Sequence, residues 1–91
     1  MELTRDGLHQ RALQAIGLAR KAGDAVSGFE KVEEALMSDS VLLLLHAQDA
    51  GADGVAKLRK FGVLARDCFL RDELSRMMGS ANAVHVALLR G

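Results

Sequence analysis

The sequence predicts an α/β fold in which helices cover both faces of a sheet. Helix-like and strand-like segments alternate along the whole chain, which is the order found in layered α/β domains. One strand-like segment, residues 41–45, is an unbroken apolar run, as is typical of a strand buried on both faces. A chain of 91 residues suffices for one small domain, so we expect a single domain over residues 1–91.

Composition excludes several classes of protein. The apolar share of 49% is too high for a disordered chain. A single cysteine cannot form an internal disulfide, which excludes a small secreted scaffold held by disulfides. The longest apolar run is far shorter than the roughly 20 residues that span a bilayer. Residues 1–11 also lack the apolar core of a signal peptide. We therefore expect a cytoplasmic protein with no membrane contact.

The charge balance does not by itself indicate a nucleic-acid partner. Twelve basic and twelve acidic residues give a net charge of zero, whereas nucleic-acid-binding domains usually carry a basic excess. Only three residues are aromatic, which is few for stacking single-stranded bases. Two basic clusters stand out, Arg20-Lys21 and the group Lys57, Arg59 and Lys60. Their ordinary explanation is a solvated helix end, where cations favour the negative pole of the helix dipole.

The first predicted helix covers about residues 8–22. Within it, Leu13 and Ile16 recur at helical spacing, and Gly23 follows as a residue that commonly terminates helices. A very short strand, residues 24–26, comes next. This opening therefore predicts one helix that leads directly into one strand.

The second predicted helix begins at a capping box, with Ser27 as the N-cap and Glu30 three residues later. Its apolar residues fall on one face, which makes the helix amphipathic. These residues are Phe29, Val32 and Leu36. After a turn, residues 41–45 form the second strand. A short buried helix is the competing interpretation of that run, but the polar residues on both sides favour the strand.

The polar stretch of residues 46–54 predicts a loop, because it is rich in small and turn-forming residues. The third helix covers residues 52–60, and residues 63–69 form the third strand. Cys68 lies in this strand between apolar neighbours, so we expect it to be a small buried side chain.

The fourth predicted helix covers Arg71–Met78, and its apolar side chains share one side. These side chains are Leu70, Leu74, Met77 and Met78. Residues 79–82 then form a turn, and residues 83–89 are β-branched and partly alternating, which predicts the last strand. The whole chain therefore contains four predicted helices and four predicted strands in alternation.

Three phrases of the sequence carry a resemblance to a known family. The first is GLARKAGDAVSGFEKVEEAL, Gly17 to Leu36, and the second is AQDA, Ala47 to Ala50. The third is DELSRMMG, Asp72 to Gly79, followed by a β-branched strand. In this order they resemble the bacterial members of the kink-turn-binding ribosomal-protein superfamily, the L-seven-Ae and L-thirty-e group. The resemblance covers about residues 10–89.

This resemblance implies a three-layer α/β/α sandwich around a four-stranded mixed sheet. It extends in particular to the C-terminal domain of two-domain bacterial proteins that are described as nucleic-acid-binding and related to transcription termination. The chain would then be part of a longer protein, with a covalently linked N-terminal domain. Family members also continue with a further helix after the last strand.

The resemblance also implies a non-catalytic site for structured RNA, linked to translation, ribosome function or transcription termination. In the family, three neighbouring loops at one end of the sandwich hold RNA, and irregular RNA elements expose the base edges that such loops recognise. The matching positions lie at the end of the first helix, the start of the second helix, the loop after the second strand and the turn before the last strand. They are Arg20, Lys21, Ser27, Gly28, Phe29, Glu30, Lys31, Asp49, Gly79, Ser80 and Asn82.

The start of the second helix departs from the family pattern. The family has Gly-x-Asn-Glu there, whereas this sequence has GFEK from Gly28, so that Glu30 replaces the Asn and Lys31 replaces the Glu. A carboxylate cannot reproduce the donor and acceptor of an amide, which weakens the case for kink-turn specificity. Lys31 would instead contact a phosphate as a point charge. Each of these positions also has an explanation that does not involve RNA. Gly28 could serve an unusual backbone conformation, and Glu30 could be the capping partner of Ser27. Asp49 and residues 79–82 could be ordinary turn residues.

No cofactor, metal or catalytic group is expected. Cys68 has no partner in a CxxC motif, and nothing supplies a nucleophile beside His46 and Asp49. The pair Gly51-x-x-Gly54 lacks the lysine of a phosphate-binding loop. The alternative function is a protein-interaction module on the same fold, in which the sheet edge or the acidic second helix binds a partner. The acidic residues of that helix are Glu30, Glu33 and Glu34.

Overall fold

Helices and strands alternate along the chain, as the sequence predicts. The computed structural model describes residues 5–90. The helices are α1 (Arg5–Lys21), α2 (Phe29–Met37), α3 (Ala52–Arg59) and α4 (Arg71–Met78). The strands are β1 (Ala25–Ser27), β2 (Val41–Ala47), β3 (Ala65–Phe69) and β4 (His85–Leu89). The predicted α/β fold class is therefore confirmed. Residues 1–4, which belong to the segment considered for a signal peptide, lie outside the described residues.

The four strands form one mixed sheet in the order β1-β4-β2-β3. Strand β4 is antiparallel to both of its neighbours, β1 and β2, whereas β2 and β3 are parallel. The β2–β4 pairing extends from Val41 opposite Leu89 to His46 opposite His85. Because β2 and β3 end at the edge of the sheet where β4 begins, the loops after β2 and β3 lie beside the turn before β4.

Each face of the sheet carries its own apolar cluster, so the sandwich has three layers. Helices α1 and α4, hereafter the α1/α4 layer, bury Leu13 and Leu74 against one face. Helices α2 and α3, hereafter the α2/α3 layer, bury Val32 and Leu58 against the other face. Each of these side chains contributes about 1.5–3 kcal/mol by leaving water. The apolar residues that recur at helical spacing in the sequence are thus the residues whose side chains pack the helices against the sheet.

The capping box predicted at the start of α2 is wrong. Ser27 lies in β1, opposite Val86, and Gly28 occupies the N-cap position without a side-chain cap. The N–H of Gly28 donates to the carbonyl of His85 over 3.1 Å. The antiparallel ladder therefore continues up to the helix and holds Ser27 in the strand.

The loop predicted from residue 46 begins two residues later, because His46 and Ala47 continue β2. His46 lies opposite His85, and the two side chains are only 1% and 5% exposed. The N–H of Ala47 donates to the carbonyl of Val84 over 2.8 Å. A polar residue continues the strand here because its partners come from β4, far along the chain.

Cys68 is exposed, so the prediction that it is buried is wrong. The parallel register runs from Leu45 opposite Arg66 to Ala47 opposite Phe69, and β3 therefore carries one extra residue. Such a bulge turns the next side chain to the other face of the sheet. Phe69 accordingly joins the cluster of the α1/α4 layer, while Cys68 stays outside on the edge strand.

Helix α4 begins and ends where the sequence predicts. Leu74 and Met78 are buried and Met77 packs against the same cluster, as expected of its apolar side. Leu70 is 51% exposed, against expectation, because it precedes the helix at the N-cap position and does not lie on its inner face.

Candidate nucleic-acid interface

Three of the predicted loop segments meet around the first residues of β4. The N–H of Gly28 donates to the carbonyl of His85, and the N–H of Ala47 donates to the carbonyl of Val84. These bonds hold the start of α2 and the end of β2 beside the turn that leads into β4. We call this region the loop end; it comprises residues 27–31, 48–51 and 79–84.

The backbone at Gly28 forms an open notch at the start of α2. Its φ of 96° and ψ of 144° are close to a region that only glycine adopts readily. A methyl group at Gly28 would meet no atom within 4 Å beyond its two chain neighbours, so the space beside this backbone is open. Within the described chain, the N–H groups of residues 29–31 make no hydrogen bond, as expected at a helix start. These donors and the positive end of the helix dipole favour an anion.

The turn after α4 brings two distant predicted site residues together. Gly79 ends α4 in the left-handed conformation, with φ 62° and ψ 30°. The Arg20 guanidinium of α1 lies against it, since a methyl group at Gly79 would be 2.7 Å from one guanidinium nitrogen. Gly79 therefore ends the helix and also leaves the space that Arg20 occupies.

Ser75 of α4 fixes the remainder of this turn. Its carbonyl accepts the N–H of Ser80 over 3.1 Å, and its hydroxyl accepts the N–H of Ala83 over 3.0 Å. Ser80 and Asn82 stay exposed between these two anchors. The turn thus presents polar side chains on a backbone that is held at both ends.

Asp49 links the loop after β2 to α4. Its carboxylate accepts the N–H of Arg71, the first residue of α4, over 3.2 Å, and its carbonyl accepts a guanidinium N–H of Arg71 over 3.3 Å. The carboxylate also lies 3.9 Å from the Arg71 Nε. Asp49 therefore stabilises the loop end by capping α4.

The other predicted cations do not surround Gly28. Lys31 is exposed and lines a shallow hollow beside Glu34 and Leu89, along the flank of α2. Lys21 is the last residue of α1, and the whole of strand β1 lies between it and Gly28 in the chain. Glu30 is exposed and makes no cap hydrogen bond. The cations therefore flank the loop end from the sides of α1 and α2.

A buried histidine pair lies beneath the notch, and sequence reasoning missed it. The Nδ1 atoms of His46 and His85 are 2.9 Å apart, so one ring donates its proton to the lone pair of the other. The ring of Phe29 meets His85 edge-on, with centroids 6.0 Å apart. A methyl group at Gly54 would lie 3.0 Å from the His85 Nε2, so α3 also approaches this ring closely. The pair therefore connects the starts of α2, α3 and β4.

Both imidazoles are neutral near pH 7. The pKa of His46 is lowered from its ordinary value of 6.5 to about 4, mainly by burial and then by the charges of His85 and Arg59, while the charge of Asp67 opposes the shift. Burial also lowers the pKa of His85. The Nε2 of His46 has no hydrogen-bond partner among the described residues. Protonation of the accepting Nδ1 would place two donors against each other and break this hydrogen bond.

Within residues 5–90, no group of three or more His, Cys, Asp or Glu side chains could hold a metal ion. No helix in that part of the chain is long and apolar enough to cross a membrane. The loop end presents the N–H groups of residues 29–31, open space beside Gly28 and the exposed side chains of Ser80 and Asn82.

Solved structures share this fold. A protein of unknown function from Bacillus halodurans is 25% identical, with a TM-score of 0.78 over 87% of this chain and 84% of that chain. The Giardia lamblia 15.5kD RNA binding protein is 12% identical, with a TM-score of 0.75 over 100% of this chain and 81% of that chain. No protein-family model and no curated protein matches the chain. The similarity to these structures shows that the chain adopts a fold also used by an RNA-binding protein.

Proposed function

We propose that this chain is a non-catalytic, cytoplasmic domain that binds structured RNA through its loop end. One observation carries the proposal: the N–H of Gly28, at the open start of α2, donates to the carbonyl of His85, three residues after the turn at Gly79–Asn82. Free helix N–H groups suit a phosphate, and exposed polar side chains on a fixed turn suit the base edges of an irregular RNA element. The shared fold of the Giardia lamblia RNA binding protein supports this proposal.

We further propose a kink-turn or a similar internal loop as the target, in the context of translation, ribosome function or transcription termination. The resemblance of the sequence to the kink-turn-binding superfamily supports this choice. The replacement of the family Asn by Glu30 argues for weaker discrimination of guanine, because a carboxylate accepts hydrogen bonds but does not donate them.

A titration with two RNAs tests the proposal. We expect the chain to bind a kink-turn RNA more tightly than a plain hairpin of equal length. The logarithm of the affinity should fall with the logarithm of salt concentration by roughly 0.7–0.9 per phosphate contact. Equal affinity for both RNAs would contradict the choice of an internal loop, and failure to bind either RNA at low salt would contradict the proposed function.

A double variant, Glu30→Asn with Lys31→Glu, sharpens this test because it restores the family phrase after Gly28. We expect it to increase the preference for the kink-turn over the hairpin. Lys57→Gln is the matched control, since it changes the net charge by the same amount, one unit more negative, at an exposed position on α3. An equal change of preference in the double variant and in Lys57→Gln would show that net charge alone, rather than the phrase at Gly28, determines recognition.

A protein-interaction role is the second candidate, and one observation favours it. Met37, at the end of the acidic helix α2, is 73% exposed. An exposed apolar side chain beside Glu33 and Glu34 suits a basic, partly apolar partner. Nuclease treatment distinguishes the two candidates, because a partner that contacts α2 directly remains bound when all RNA is removed.

A further inference from the structure

A groove between α1 and α4 adjoins the turn at Gly79. It has a volume of about 460 Å³, and its rim carries Arg20, Lys21 and Arg76. The two helices approach closely at its floor, where a methyl group at Gly17 would lie 3.5 Å from the Met77 sulfur. The groove is therefore a fixed feature of the α1/α4 packing.

The groove continues into a second hollow at the loop end. This hollow, of about 700 Å³, is lined by Gly79, Ser80 and again Arg76. Because Arg76 borders both spaces, one continuous surface extends from the turn before β4 to the last turn of α1. A ligand that contacts the exposed side chain of Ser80 can therefore extend into the groove without crossing another helix.

The cations of this surface are available for a partner. Arg20, Lys21 and Arg76 are exposed, and within the described residues none of their side chains forms a hydrogen bond or an ion pair within 4.0 Å. Three acids lie near these cations. Asp72 lines the second hollow, and Glu73 interacts with Arg76 but is hydrogen-bonded to His9. Asp24 follows α1, and its N–H donates to the carbonyl of Ala19 over 2.7 Å. Cations thus outnumber free acids along the groove.

The charge of the whole layer points the same way. Helix α1 carries four basic residues and one acidic residue, and α4 carries two of each, which gives the α1/α4 layer an excess of three positive charges. The α2/α3 layer has an excess of one negative charge, from three basic and four acidic residues. A polyanion is therefore attracted to the α1/α4 side, although the net charge of the chain is zero.

We infer that this groove binds the phosphate backbone of the helical arm that leaves the RNA element held at the loop end. The inference rests on the proposed function and names a second part of its RNA footprint. Phosphate contacts from Arg and Lys position a protein on RNA without reading its sequence. The two guanidinium groups, of Arg20 and Arg76, suit phosphates because their planar donors form paired hydrogen bonds.

RNAs with arms of two lengths test this inference. Both contain the same kink-turn; one has a short arm, and the other has that arm extended by a full helical turn. We expect the salt dependence of the affinity to be steeper for the long arm. Arg20→Gln, Lys21→Gln and Arg76→Gln should each reduce the log–log slope for the long arm by roughly 0.7–0.9, the value of one phosphate contact. The slope for the short arm should change less.

Lys57→Gln on α3 is the matched control, because it removes one exposed cation from the other layer. Its slopes should equal those of the wild type. Equal slopes for both arm lengths in the wild type, or the same loss in Lys57→Gln as in Arg76→Gln, would overturn the inference while leaving RNA binding at the loop end intact. Absence of binding to either RNA would overturn the proposed function as well.

An acidic peptide is the competing occupant, since Leu18 on the rim is 66% exposed and offers an apolar contact. Competition decides between them. An acidic amphipathic peptide is added to the long-arm RNA bound to the wild type and, separately, to the Arg76→Gln variant. If the groove holds RNA, the peptide should displace the RNA from the wild type only at concentrations that also displace it from the variant. A peptide that binds tightly in the absence of RNA, and loses affinity in Arg76→Gln, would overturn the inference in favour of a protein partner.

Discussion

The α1/α4 layer covers an apolar cluster and carries excess positive charge at its surface, whereas the α2/α3 layer covers a neutral histidine pair and is slightly acidic. In the first layer, the titratable contact is His9 with Glu73, and it lies at the partly exposed edge of the helices. In the second, His46 and His85 lie in the interior beneath Phe29. Similar burial of apolar surface can thus support different functions: one layer presents charge to a polyanion, and the other fixes the backbone that forms the notch at Gly28.

The largest expected difference between the layers is their response to acid. Because the pKa of His46 is about 4 in the folded protein and 6.5 ordinarily, the unfolded chain binds more protons between these values. The free energy of unfolding should therefore fall as the pH falls below 6.5, by about 2 kcal/mol at pH 5 and about 3 kcal/mol at pH 4. The pKa of His85 is lowered too, so it contributes with the same sign. Urea denaturation at a series of pH values measures this fall.

His9→Gln provides the matched control for the acid response, because it removes a histidine from the other layer. A fall in stability between pH 6.5 and pH 5 that persists in this variant would assign the acid response to the buried pair, and disappearance of the fall would contradict that assignment. A wild-type stability that stays constant over this range would show that the histidine pair does not remain neutral in the folded protein.

The next effect compares the two glycines of the loop end, one on each layer. Gly28→Ala should reduce the free energy of unfolding by about 2 kcal/mol, because an alanine is strained at its backbone angles. Gly79→Ala should cost about 1 kcal/mol, because the left-handed region is accessible to other residues at that cost. Denaturation of both variants measures the difference. A larger loss for Gly79→Ala would mean that displacing the Arg20 guanidinium, rather than the backbone, determines the cost.

The smallest effect concerns the edge of the α1/α4 layer. The Glu73 carboxylate accepts the N–H of Leu70 over 2.9 Å and is 2.7 Å from the His9 Nε2. The Leu70 N–H first, and His9 second, hold the pKa of Glu73 below 4.5. Glu73→Gln should lower stability at pH 7 by about 1 kcal/mol. This loss should shrink as the pH falls below 4.5, because the wild-type carboxylate is protonated first in the unfolded chain and then, at lower pH, in the folded protein. Glu33→Gln on α2 is the control. A loss that is independent of pH would show that the charge of Glu73 does not contribute.

Local patterns predicted most of the architecture because they depend on neighbours along the chain. The apolar spacing of α4 and the glycine after it gave its observed bounds, Arg71–Met78. The apolar run of residues 41–45 correctly predicted a strand buried by both layers. The segments predicted for the loop end also lie together, since the order of helices and strands already implies which ends of the sheet they share.

Predictions failed where a distant partner decides the outcome. His46 was predicted in a loop because it is polar, yet its Nδ1 is hydrogen-bonded to His85, which lies 39 residues away in the sequence. Ser27 was predicted to cap α2, but pairing with β4 holds it in a strand. The exposure of Cys68 follows from a bulge that exists only in the register between β2 and β3. Arg20 and Gly79 meet only because α1 and α4 pack side by side.

The sequence by itself determined the alternation of helices and strands and the side chains that the helices bury, because periodicity and helix termination act within a few residues. Only the tertiary structure decided which polar residues are buried, where Arg20 is directed and that one layer carries the positive charge. These properties depend on contacts between segments that are far apart in the chain, and no local pattern specifies which segments will meet.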